Sequence, residues 1–415
     1  MPVLARAFLL LVFVMTIVGG TVFGIANKRV NRVHDMAPPP IGRATDPVEL
    51  ERGGRLFRTN CMDCHAGAPL TGGGQEAAVR RPIGGRVTGA PSFLGEVWAP
   101  NLTADVETGI GGWTDGQLAR LLRNGVGREG RYAATMPRFG RLGDGDVAAL
   151  IGFLRSADPL VAPVKNQVPR PGLTVAGTLA LAFAAGVDTR GPPQLPMPAR
   201  GTTAAYGAYL AAAVYGCVDC HTEGFVGTDE KLRSPMLLAG GQFHRSPRGE
   251  PIYSSNLTPD AATGLQGVKT ADELAVLLTT GMRQDGLPVR PPMPVFRYLS
   301  ADEAAALFSY LRSVPPVSRR TPGAPREPVV LTAPPALLFV TLGCTACHGE
   351  GAPHAAALKA AAAVRTTGEL ASRIRHPEQQ RPDTAMPTYA AAVDEGTALR
   401  LATWLKETGG AAPPQ

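Results

Sequence analysis

Cys61-Met62-Asp63-Cys64-His65 is the stretch on which the fold turns. It returns as Cys217-Val218-Asp219-Cys220-His221 and again as Cys344-Thr345-Ala346-Cys347-His348. The chain has six cysteines, and these three segments use all of them. C-x-x-C-H is the attachment pattern of c-type haem. Two thiols add across the two vinyl groups of one porphyrin, and residues i, i+3 and i+4 share a helix face, so the histidine is turned toward the same ring. A redox dithiol would need one C-x-x-C in a βαβ setting, not three pairs each followed by His. A zinc site needs four ligands, and each segment brings three with no fixed fourth partner. Chance does not account for three copies with no cysteine left over. The expected cofactor is three covalent haem c, bound through Cys61, Cys64, Cys217, Cys220, Cys344 and Cys347, with His65, His221 and His348 on the iron.

A closed electron carrier fills the second face of the iron, often with Met, which raises the reduction potential. Of the ten methionines, three precede proline downstream of a motif: Met136-Pro137, Met293-Pro294 and Met386-Pro387. They follow their histidines by 71, 72 and 38 residues. Proline pushes the preceding residue out of the helical region, so each Met is expected on an extended loop that can cross a haem face. Met136, Met293 and Met386 are therefore the expected distal ligands, against the alternative that each fills a core gap. Met62, Met197, Met236 and Met282 lack the pattern, and His34, His244, His354 and His376 do not recur between copies.

The surroundings repeat as well. Asn101-Leu102-Thr103-Ala104-Asp105 lies 40 residues after Cys61, and Asn256-Leu257-Thr258-Pro259-Asp260 lies 39 after Cys217. Both run into a Thr-Gly pair, Thr108-Gly109 and Thr263-Gly264, then a helical pattern at Gln117–Leu122 and Glu273–Leu278. Closing helices are expected at Phe153-Leu154-Arg155, Tyr310-Leu311-Arg312 and Trp404-Leu405-Lys406, with the aromatic packed on the first helix of its copy. Ser300 with Glu303 makes a capping box before the second. The third copy lacks the Asn-Leu-Thr block and is shorter. The expected fold is all-α: three cytochrome c-type domains in tandem at 45–158, 200–317 and 330–410, after an N-terminal membrane helix at 1–27. Pro-rich linkers occupy 159–199 and 318–329. The apolar run Leu173–Val187 is 15 residues long, too short to span a bilayer, and is read as a helix packed between domains.

Ala7 to Ala26 carries no charge over 20 residues, longer than a signal-peptide core and long enough to span. Gly24-Ile25-Ala26 is a weak cleavage site, and an uncleaved anchor is preferred. Lys28, Arg29 and Arg32 after the span would by themselves place the body in the cytoplasm. The haem motifs overrule them, because bacteria attach such haems on the far side of the membrane. The expected location is the bacterial cytoplasmic membrane with the body in the periplasm.

The net charge of +7 does not make a basic surface, since the three motif-bearing segments sum to −1 and the excess lies near the N-terminus and in linkers. Nucleic acid is excluded as a partner on that ground. The sequence holds no Ser/His/Asp set, phosphate loop or nicotinamide fingerprint, and Gly72-Gly73-Gly74 reads as loop.

The paired Asn-Leu-Thr-x-Asp-x-x-Thr-Gly and Met-Pro blocks, with three C-x-x-C-H sites, resemble the triple-haem cytochrome subunits of membrane-bound bacterial dehydrogenases of the alcohol, gluconate, sorbitol, fructose or aldehyde type. Similar subunits accompany molybdenum hydroxylases of N-heterocycles. The resemblance covers 45–317 well, and the third copy only in its haem motif and Met. It implies an electron-transfer subunit with no catalytic residue of its own. The implied partners are a flavin, quinoprotein or molybdenum catalytic subunit as donor and quinone or another respiratory acceptor. Two other functions compete: a stand-alone carrier feeding a terminal oxidase, and a haem enzyme with one open iron.

Overall fold

The computed structural model describes residues 2–66, 81–87, 90–137, 139–170, 172–185, 196–224, 228–246, 249–265, 267–322, 329–352, 354–382 and 384–411. The run Gly72-Gly73-Gly74 lies outside them, as do parts of both expected linkers. The chain divides in the main into two compact units, parting after Gln194.

The first unit begins with α1 (Pro2–Val30), whose Ala7–Val30 stretch is long and apolar enough to cross a membrane. Its last turn is not free. Ala26 is fully buried and Val30 nearly so, against Leu181 and Ala182. Next come α2 (Pro47–Asn60) and α3 (Met62–His65), which carry the first motif. Asp46 caps α2 by accepting from the Val48 and Glu49 amides, with Pro47 in the first turn where its missing N–H costs nothing. Two short ladders follow, β1 (Gly85–Arg86) with β3 (Trp98–Ala99) and β2 (Gly95–Glu96) with β4 (Gly172–Leu173), both antiparallel. Between them in sequence lie α4 (Asp115–Asn124), with a Thr114/Gln117 capping box, and α5 (Asp144–Leu154).

α2 crosses α5 at Gly53. A Cβ there would sit 2.0 Å from the Ala149 carbonyl oxygen, so only glycine lets the two backbones meet. The contact is flanked by Phe57 on Phe153, ring centroids 5.2 Å apart, and by a buried ion pair of Arg52 with Asp146 at 3.0 and 3.1 Å. The expected helix at Leu173–Val187 is α6 (Val175–Leu179) followed by a π-helical stretch, Ala180–Ala185. Among the described residues it packs on the end of α1, where Leu181 and Ala182 meet Ala26 and Val30.

The second unit repeats this plan with α7 (Ala204–Tyr209), α8 (Cys217–His221), α9 (Thr228–Leu232), the hairpin β5 (Phe243–Arg245) and β6 (Pro251–Tyr253), α10 (Ala271–Thr280) and α11 (Ala301–Ser313). Gly207 stands where Gly53 does: a Cβ there would lie 2.0 Å from the Ala306 oxygen and against the Tyr310 Cβ. From this glycine to the first motif cysteine is ten residues, against eight in the first unit. The excess is absorbed in a π-helical stretch, Leu210–Val214, the usual form of a residue insertion in a helix. Ser300 and Glu303 make the expected capping box, and Glu303 also accepts from the Tyr215 hydroxyl at 3.1 Å.

The same unit continues through α12 (Pro335–Thr341), α13 (Thr345–His348), α14 (Ala355–Val364), α15 (Thr367–Arg375), α16 (Pro377–Gln380) and α17 (Glu395–Glu407). These close on one apolar cluster that includes Leu338, Phe339, Leu342, Leu370, Tyr389 and Leu401. Trp404 of α17 packs on Phe339 at 5.4 Å, the expected aromatic contact with the first helix. The protein is thus mainly helical, with strand confined, among the described residues, to two- and three-residue ladders.

Candidate haem sites

Each C-x-x-C-H lies at a helix break, so a short second helix leaves the first at an angle. Cys61 joins α2 to α3, Gly216 in the left-handed region precedes α8, and Gly343 precedes Cys344 and α13. Within each turn the second Cys and the His follow the first by three and four residues. The His65 and His348 amides donate to the Cys61 and Cys344 carbonyls, both at 2.9 Å. Burial pushes the Cys61, Cys217 and Cys344 thiols up to about 12. They are thiols rather than thiolates at neutral pH, unlike the low-pKa cysteines of redox enzymes. Among the described residues no three His, Cys, Asp or Glu side chains converge as they would on a metal ion.

The histidines are the informative atoms. His65 and His221 are buried, and burial holds both below the usual imidazole range, so they are neutral. His65 Nδ1 lies 2.8 Å from the Pro100 carbonyl oxygen, and His221 Nδ1 lies 2.8 Å from that of Ser255. A carbonyl only accepts, so Nδ1 carries the proton and Nε2 keeps its lone pair. Metal-bound imidazoles are held in this way. Nε2 makes no hydrogen bond in either residue among the described residues.

Pro100 and Ser255 immediately precede the Asn-Leu-Thr blocks, and the blocks explain why those carbonyls are fixed. Asn101 Nδ2 donates to Thr108 Oγ1 at 3.1 Å and to the Val164 carbonyl at 2.8 Å, while its Oδ1 accepts from the Thr103 amide at 2.9 Å. Asn256 makes the same three bonds to Thr263, Val317 and Thr258, at 3.1, 2.8 and 2.9 Å. Asp105 and Asp260 accept from the hydroxyl and amide of Thr108 and Thr263, which hold their carboxyls below the usual range. Gly109 and Gly264 are required because a Cβ would lie 2.3 and 2.0 Å from the Thr103 and Thr258 oxygens. In the sequence the block shows only as a repeat, and its work does not show. A signal was available in the separation of 35 and 34 residues from His65 to Pro100 and His221 to Ser255.

The third site is built otherwise. His348 Nδ1 lies 3.2 Å from the His354 carbonyl, six residues on, and burial again lowers its pKa. His354 thus contributes its main chain. Tyr389 donates its hydroxyl to the Leu342 carbonyl at 3.0 Å, bracing the turn before Cys344. In the second site Lys231 of α9, which no sequence pattern marks, donates to the Asp219 carbonyl at 2.6 Å, and burial lowers its pKa.

Met136, Met293 and Met386 all lie outside helices, half-buried, at the bend before their prolines. The Met136 and Met293 amides close matching turns on the Ala133 and Arg290 carbonyls, both at 3.0 Å, and the Met386 amide donates to Thr384 Oγ1 at 3.1 Å. The donor chemistry fits haem: paired neutral thiols, an imidazole with a free Nε2, and a loop thioether for each motif. In the first unit Arg55 and Arg81 each carry a buried Nε without an acceptor among the described residues, of the kind a haem propionate accepts from.

This combination is similar to the haem sites of c-type cytochromes. Residues 48–154 match the family model described as cytochrome c oxidase, cbb3-type, subunit III. The relatives the chain resembles include cytochrome c subunits of dehydrogenases. The chain is 28% identical over 336 residues to a nicotinate dehydrogenase subunit of Pseudomonas putida, covering 76% of this chain and 26% of that protein. It is 27% identical over 288 residues to the cytochrome c subunit of the quinone alcohol dehydrogenase of Gluconobacter oxydans, covering 66% of this chain and 56% of that one. It is 27% identical over 287 residues to a diheme cytochrome c-type protein of Cereibacter sphaeroides, covering 65% and 87%. The chain thus spans about a quarter of the first relative and just over half of the second. Several of the relatives are described as the cytochrome subunits of alcohol, gluconate and fructose dehydrogenases.

Proposed function

We propose that this chain is the electron-transfer subunit of a membrane-bound dehydrogenase. In this reading it carries three haem c in three tandem cytochrome c domains and passes electrons from a catalytic subunit to quinone or another respiratory acceptor. Each haem would be held by Cys61 and Cys64, Cys217 and Cys220, or Cys344 and Cys347. His65, His221 and His348 would bind iron through Nε2, and Met136, Met293 and Met386 would complete the coordination. The bound group supplies a one-electron iron couple. The chain's part is to hold the ligands still, so that little rearranges when the charge changes, and to keep water from the iron. His65 and His221 do the first through the Pro100 and Ser255 carbonyls, and that orientation is the single observation carrying the reading.

The same bond sets a bias. An imidazole whose Nδ1–H is hydrogen-bonded is a more basic ligand, which favours the ferric state, whereas a thioether favours the ferrous one. Burial of Ala26 and Val30 supports a retained anchor, since cleavage after Ala26 would strip the partner of Leu181 and Ala182. Arg29 lies over the Phe183 ring, 5.1 Å from its centroid.

The test is a haem count followed by extraction. The reading expects three haem c per chain by pyridine haemochrome and intact mass, with the N-terminal segment present. It expects low-spin spectra throughout and a stoichiometric flavin, quinoprotein or molybdenum subunit after gentle detergent extraction. Two haems, or a high-spin iron in the resting protein, would refute the ligand assignment. Recovery alone or with oxidase subunits would replace the dehydrogenase reading with that of a free-standing carrier.

A further inference from the structure

The loop bearing Met386 is fastened from outside its own helices. Arg297 lies four residues after Met293, on the loop that leaves the second Met-Pro pair. Its Nε donates to the Thr384 carbonyl at 2.7 Å, its Nη1 to Thr388 Oγ1 at 3.0 Å, and its Nη2 to the Met386 carbonyl. One guanidinium therefore holds the residue itself and the residues two before and two after it. The Arg297 side chain is 9% exposed, and Glu378 stands 4.0 Å away to balance its charge. Glu378 also accepts from Thr388 Oγ1 at 2.8 Å, and the Thr388 amide donates to the Thr280 carbonyl at the end of α10 at 2.9 Å. Met282 is buried in the apolar cluster of the third site, and Gly281 packs on Pro387.

Among the described residues this arrangement has no counterpart in the first unit. The Phe139 and Phe296 amides donate to the equivalent Leu122 and Leu278 carbonyls, at 3.0 and 2.7 Å, which aligns the two loops. The next residue is Gly140 in the first copy and Arg297 in the second. A glycine at that place can grip nothing.

We propose that Arg297 is a positioning residue for the third haem: it holds the Met386 loop in place from the second Met-Pro loop, so that the ligand set of one haem is fixed by the domain of its neighbour. The planar fork suits this role. Arg297 addresses three oxygens in fixed directions, which a lysine ammonium on a flexible stem does not. The inference rests on the proposed Met386 ligation, and the experiment separates the two.

The full-length, haem-loaded protein would be compared with Arg297→Ala, Arg297→Lys, Thr388→Val and Met386→Ala. Two signals are read: the long-wavelength methionine-to-ferric-iron absorption, and a potentiometric titration of the three haems. Met386→Ala is expected to lose about one third of that absorption, the share of one haem in three, and to lower one potential, because a thioether ligand raises it. Arg297→Ala is expected to reduce the same absorption and lower the same potential, with all three haems still attached by mass. Arg297→Lys and Thr388→Val should fall between it and the parent. If Met386→Ala leaves the absorption intact, Met386 is not a ligand and both readings fall. If Met386→Ala abolishes its share while Arg297→Ala leaves absorption and potentials at parent values, the ligand stands and the positioning role is refuted. Should Arg297→Ala fail to fold, Arg297→Lys and Thr388→Val decide by the same criterion.

Discussion

The first two motifs and the third solve one problem with different material. At His65 and His221 a separate block, some 35 residues downstream, supplies the carbonyl that orients the ring, and Asn101 or Asn256 fixes that carbonyl from within. At His348 the carbonyl comes from six residues away, and the distal loop is gripped by Arg297. In the proposed ligation the shorter site keeps its ligand geometry by leaning on the loop that bears Met293, and substitutions can separate the self-sufficient sites from the dependent one.

The largest expected effect is in the first unit. Arg52→Ala leaves the buried Asp146 carboxylate without its guanidinium, and removing one partner of a buried pair costs about 3–5 kcal/mol. Replacing both by apolar residues, Arg52→Met with Asp146→Leu, should come close to neutral. Chemical denaturation followed at the haem absorption checks both, and a mild effect of Arg52→Ala would mean that water reaches the Asp146 carboxylate. Next is Asn256→Ala, which removes one donor from the Val317 carbonyl and from Thr263 Oγ1 and takes the acceptor from the buried Thr258 amide, and should cost roughly 2–3 kcal/mol. It should also raise one haem potential, as the Ser255 carbonyl loosens from His221. The third site should not respond, and a shift in the potential assigned by Met386→Ala would break the contrast drawn above. Tyr389→Phe is the matching change there, removing one buried bond to Leu342 at a cost of about 1 kcal/mol. The smallest is Asp260→Asn. The folded carboxyl is held low by Thr263, so its contribution is present above the ordinary carboxylate pKa and is lost as pH falls through the range below about 4. The variant should be slightly less stable at neutral pH and flatter in acid, measured as unfolding midpoint against pH.

Much of this is legible in the chain because haem attachment constrains covalent spacing. The three motifs, the capping box at Ser300 and the closing helices with their aromatics follow from local rules of helix geometry, and the structure has Phe153 on Phe57 and Trp404 on Phe339 as expected. What escapes is whatever depends on distant main chain. A carbonyl has no side-chain signature, so Pro100 and Ser255 cannot be told from their neighbours by residue type. Arg297 reads as one more surface charge until the loop around Met386 is folded against it. The apolar stretch at Leu173 is too short to span a bilayer, but only the fold shows that it covers Ala26 and Val30.

That last contact makes α1 a lever. In the proposed reading α1 spans the bilayer: its uncharged stretch Ala7–Ala26 is about 30 Å long at 1.5 Å rise per residue, close to the hydrocarbon thickness, and its final turn packs on Leu181 and Ala182. A span whose length departs from the local thickness tilts or distorts its surroundings to fit. With its end free, such a tilt would be absorbed by a hinge. With Ala26 and Val30 buried, it would be passed on to the helix they pack against, and membrane thickness would then bear on the angle of the first unit.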